Sequence, residues 1–157
     1  MADFVFNRAK GRVTEWAERV NANDPTNAVF LVRLIASSGV ETDATLKDLD
    51  EFTALVAGAT NYATNTGYSQ KTLTDASGIT ITYDDTNDWS ILDCADQTWT
   101  GVANDGTGAI GDLVFGYDSD STGGADTAVL PATFHDFSIT PNGGDITATV
   151  TNWFKAA

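Results

Sequence analysis

The chain has 157 residues, of which 42% are hydrophobic and 19% charged, a balance that suits one folded domain and excludes an intrinsically disordered chain. Eight Lys and Arg face 22 Asp and Glu, a formal charge of −14. A surface of that sign repels phosphate backbones and anionic bilayers, so neither nucleic acid nor a membrane is expected as a partner.

Phe4-Val5-Phe6 predicts a short strand. Val13, Trp16, Ala17 and Val20 fall at i, i+3, i+4 and i+7, one face of a helix, with Gly11 weakening its first turn and Asn23-Asp24-Pro25 ending it. Residues 28–36 are apolar and β-branched on both faces apart from Arg33, the pattern of a buried central strand. A second helix is expected to be capped by Thr45, with Asp48 in the capping box, Gly58 at its end, and Leu46, Leu49, Phe52, Leu55 and Val56 as its buried stripe.

Beyond Asn61 the texture becomes that of short strands separated by turn residues. Strands are predicted at 68–73, 79–83, 89–92, 97–102, 109–117, 134–140 and 145–150, the last two joined by the turn Pro141-Asn142-Gly143-Gly144. These spacings predict a mainly β protein with minor α content, an antiparallel sandwich or barrel of jelly-roll-like type with one or two N-terminal helices. We expect a single domain over 1–157, with 1–60 as an elaboration and 68–152 as the β core. The opening residues carry neither the basic nor the apolar region of a secretory leader, and no apolar run is long enough to span a bilayer.

Candidate chemistry is sparse. His135 is the sole histidine, and its neighbour Asp136 points to the opposite face of a strand, so the pair makes a poor half of a nucleophile–His–acid triad. The glycine-rich runs lack the Lys and following helix of a phosphate-binding loop. Cys94 is the only cysteine, leaving no partner for an internal disulfide or a Cys-x-x-Cys zinc pair. Loop 118–126 spaces Asp118 and Asp120 like the first ligands of a calcium loop. Its glycine is misplaced, however, and Val129 stands where a bidentate Glu is required. A looser calcium site at Asp118, Asp120 and Asp126 is the one metal candidate; no catalytic residue and no cofactor are expected.

Charge is also segregated along the chain. From Thr72 to Trp153 there are thirteen Asp and no Lys or Arg. The run Phe6-Asn7-Arg8-Ala9-Lys10-Gly11-Arg12-Val13, together with Asn23-Asp24-Pro25-Thr26-Asn27-Ala28, resembles small virion proteins of tailed bacteriophages and prophages. So do Asp84-Asp85-Thr86-Asn87-Asp88, Asp96-Gln97-Thr98-Trp99-Thr100 and Tyr117-Asp118-Ser119-Asp120-Ser121-Thr122. The likeness continues through His135-Asp136-Phe137 to Pro141-Asn142-Gly143-Gly144-Asp145-Ile146-Thr147.

The resemblance implies a structural virion protein, a head decoration or cement protein before a head–tail connector or tail subunit. It would be made in the host cytoplasm and would contact the major capsid protein, with a homo-oligomer as a further option. The competing reading is a calcium-dependent carbohydrate-binding sandwich using Trp89 or Trp99. Candidate interface residues are the terminal apolar ones with their neighbour: Asp3, Phe4, Val5, Phe6, Trp153 and Phe154.

Overall fold

The computed structural model describes residues 2–157, Ser77 by its backbone alone. It is mainly β, with 34% strand and 17% helix, and every strand pairing is antiparallel. Of the two expected architectures no closed barrel forms; the sheets are open and sandwich-like.

The largest sheet has the order β1-β8-β7-β2-β3, built from β1 (Phe4–Val5), β2 (Val29–Ala36), β3 (Lys71–Leu73), β7 (Ile110–Asp118) and β8 (Leu130–Ile139). A three-stranded sheet, β10-β5-β4, joins β4 (Thr80–Asp84), β5 (Trp89–Asp93) and β10 (Phe154–Ala156). The third pairs β6 (Gln97–Trp99) with β9 (Ile146–Ala148).

The N-terminal third therefore does not elaborate a separate β core. β2 lies beside β7 and β1 beside β8, because their apolar faces need those neighbours for burial. The Pro-Asn-Gly-Gly segment bends the chain at Gly143 and Gly144, but it does not close a hairpin between β8 and β9. Gly143 N–H and Gly144 C=O bond to the backbone of Val102, which delivers β9 to β6. β8 also starts four residues before the expected position. Pro131 sits opposite Gly116 at a register shift, where a residue without an N–H costs the ladder little.

Helix α1 (Val13–Ala22) buries Val13, Trp16, Ala17 and Val20 as its periodicity dictates, and Asn23 closes it in the left-handed conformation. Gly11, at φ +74°, lies in the turn before it. The expected second helix is broken in two. α2 (Asp43–Lys47) is capped by Thr42, whose hydroxyl accepts from the Thr45 N–H, so Thr45 is inside the helix and not its cap. Asp48, Asp50 and Glu51 then crowd acid at the negative end of the helix dipole, and the helix stops. Asn7 clasps Asp48, Arg8 donates to the Asp50 carbonyl, and the Phe52 N–H turns to the Val129 carbonyl to start α3 (Phe52–Leu55). α3 ends before Gly58. Leu46, Phe52 and Leu55 are buried as expected, while Leu49 and Val56 are only partly so.

Candidate functional site

The three aspartates of the calcium candidate do not converge. Asp118 is buried at the end of β7, and its Oδ1 accepts from the Asp120 N–H. Asp120 accepts from the Thr122 N–H and hydroxyl, bonds that hold its carboxyl below the usual range. Asp126 is bound in a bidentate pair by Arg33, at 2.7 and 2.6 Å. Among the described residues no group of three or more His, Cys, Asp or Glu is placed to hold a metal. Loop chemistry supplies the reason: short Asp side chains satisfy their own backbone before they can gather around an ion.

Arg33 itself is a structural clamp that its lone position in an apolar strand hinted at. Its guanidinium lies 4.5 Å from the Tyr62 ring centroid and 5.2 Å from that of Phe52, and its Nε donates to Gln70. It ties β2 to the turn before β8 and to the segment after α3.

Most of the candidate interface residues point inward. Phe4 stacks on Phe134 at 5.1 Å and Phe6 meets both edge-on. Trp153 stacks on Phe115 at 4.4 Å and meets Phe30 edge-on, and Phe154 is buried beside it. Apolar terminal residues close the core here, because burying an aromatic ring against others outweighs leaving it for a partner. Only exposed Asp3 and half-buried Val5 reach the surface. Trp99 is buried too, its Nε1 donating to the Ser69 carbonyl at 2.6 Å, while Trp89 is partly exposed.

His135 has the acid partner that local sequence did not show. Its Nδ1 lies 3.3 Å from Asp3 Oδ2 and its Nε2 2.9 Å from Thr133 Oγ1, while the other Asp3 oxygen accepts from the Asp136 N–H. Burial holds the imidazole below its ordinary pKa, with Asp3 opposing that shift. The connectivity is that of a hydroxyl–His–Asp relay. The hydroxyl, however, belongs to Thr133, which is 1% exposed and does not line the adjacent cleft. The arrangement fastens β1 to β8. No local signal could have paired Asp3 with a residue 132 positions away.

The surface feature that stands out is a cleft of about 530 Å³ between β1 and β10. Lys10, Lys47 and Lys155 line it, three of the four lysines in the chain. Lys10 donates to Asn7 Oδ1, Lys47 lies 5.0 Å from the Phe4 ring centroid, and Lys155 lies over the Trp89 ring. On the far side of Lys155, exposed Tyr83 and Trp89 share a shallow depression with Asp84, Asp85 and Asp88. A cationic groove thus adjoins an acidic, aromatic patch. The sequence shows that Lys and Arg are missing over 72–153, but nothing local in it shows that residues 10, 47 and 155 meet.

Comparison with protein-family models, curated proteins and solved structures found no match. Among the described residues no helix is long and apolar enough to cross a membrane.

Proposed function

We propose that this chain is a structural component of a tailed-phage particle, a decoration protein held to the head shell by surface complementarity. The carrying observation is the separation of charge: a run of thirteen Asp without Lys or Arg over 72–153, set against one cleft that collects most of the lysines. High negative charge keeps free copies apart and steers them toward a shell surface of opposite sign. Many copies on a repeating lattice then gain avidity from contacts that are each modest. The likeness of the segments around residues 6–13, 84–88 and 117–147 to small virion proteins supports the same reading.

A calcium-dependent carbohydrate site is less well supported, since Asp126 is committed to Arg33 and Trp99 to the core. The test is co-sedimentation of the purified chain with shells that lack it, with copy number measured by quantitative mass spectrometry. Saturable binding in lattice stoichiometry is expected. Shells that sediment bare, or turnover of a substrate abolished by His135→Asn in a folded protein, would overturn the proposal.

A further inference from the structure

Among the described residues β1 and β10 are marginal strands of two different sheets, each with a strand neighbour on one side only. The Phe6 N–H bonds to the Ala132 carbonyl, continuing the register in which Phe4 faces Phe134 and Val5 faces Thr133. Antiparallel ladders alternate, so the inward-bonding residues are Phe4 and Phe6, and the N–H and C=O of Val5 point away from β8 toward the cleft. Such groups are a template for a further strand.

The rim chemistry selects what that strand carries. Lys10, Lys47 and Lys155 form no ion pair within 4.0 Å among the described residues, although the chain has 22 acidic side chains. The one carboxylate in the cleft, Asp3, is held by His135 and the Asp136 N–H. Lysines on an open edge commonly repel unwanted pairing, and here that guard works against cationic strands only. Toward an acidic one the same three ammonium groups are attractive.

We infer that the cleft between β1 and β10 receives an extended, acid-rich segment of a partner protein as an added strand. Val5 supplies backbone hydrogen bonds and Lys10, Lys47 and Lys155 meet carboxylates on the incoming chain. The inference rests on the reading of this chain as a binding protein and gives one segment of its partner a chemistry, apart from the basic surface that the acidic remainder of this chain would meet. Capsid co-sedimentation decides the first and peptide titration the second, so failure of either is visible separately.

The experiment is a fluorescence anisotropy titration with a labelled nine-residue peptide of alternating Asp and Val, beside Ser–Val and Lys–Val counterparts. The acidic peptide binds saturably and the other two do not. Lys47→Glu combined with Lys155→Glu weakens binding at least about tenfold. Val5→Pro, which removes the outward N–H at an edge position where the ladder with β8 does not use it, weakens it comparably, with circular dichroism showing that the variant is still folded. On binding, amide exchange at Val5 slows. Equal binding of the acidic and neutral peptides, binding untouched by the lysine reversals, or a Val5 amide that gains no protection each overturns the proposal. A peptide-free dimer that the lysine reversals dissociate overturns it as well, by making a second copy of this chain the occupant.

Discussion

Asp112 is the carboxylate whose surroundings oppose its charge most plainly. It is 4% exposed in β7, lies opposite Asp136 across the ladder, and is raised by burial to about 6, with Asp136, Asp43 and Asp3 adding repulsion. Because the folded state holds this proton more tightly than the unfolded chain does, the stability it lends is complete below about pH 4 and lost as pH rises to about 6. Asp112→Asn should therefore raise stability at pH 7 by about 2 kcal/mol and remove the gain that wild type shows on acidification from pH 6 to 4. His135, lowered by burial, acts in the opposite direction over a neighbouring range, so the difference between variant and wild type in urea titrations isolates Asp112. An unchanged pH profile would refute the assignment. Cys94 was legible at this scale: a cysteine without a disulfide partner packs as a small apolar side chain, and it is buried, with burial and then Asp93 and Asp96 pushing its thiol up to about 12. The carboxylate partners of Arg33 and His135 were not legible, since Asp126 and Asp3 each lie more than 90 positions away.

Elements were readable wherever a period was long enough to repeat. α1 and β2 follow from spacing alone, and the hairpin of β4 and β5 from alternation around an Asp-rich turn. The failures are non-local. The stripe over 46–56 has helical period, but the docking of Phe52 on the sheet and the acids at 48, 50 and 51 split it. That docking depends on Gly116 in β7: a Cβ there would stand 2.2 Å from Phe52 Cζ and 2.9 Å from Val129 Cγ1. Gly116→Ala should cost about 2 kcal/mol by overpacking, and Phe52→Leu in the same chain should return part of that loss. Chemical denaturation of the two single variants and the double measures the coupling; strict additivity would show that the ring does not rest on this glycine. The cleft between β1 and β10 was equally hidden, because it exists only when the first and last strands are brought to the margins of their sheets.

Over the whole molecule, charge sets both behaviour and association. With −14 on one small domain, self-repulsion opposes the folded state, and salt shortens its reach to about 10 Å at 0.1 M. Thermal midpoints should therefore climb as sodium chloride is raised from about 10 mM to 0.5 M, a trend that scanning calorimetry reads directly; a flat response would mean that local pairing already neutralises the field.

The sheet order has a temporal consequence. β2 ends at Ala36 and its long partner β7 does not begin until Ile110, with β8 later still. At ribosomal rates of about 5–20 residues per second, an eight-residue apolar strand waits several seconds for its mate. During that interval only the three-residue β3 is at hand to pair it, and on one side, so yield in a cell depends on elongation speed and on holding chaperones as well as on the stability of the finished protein.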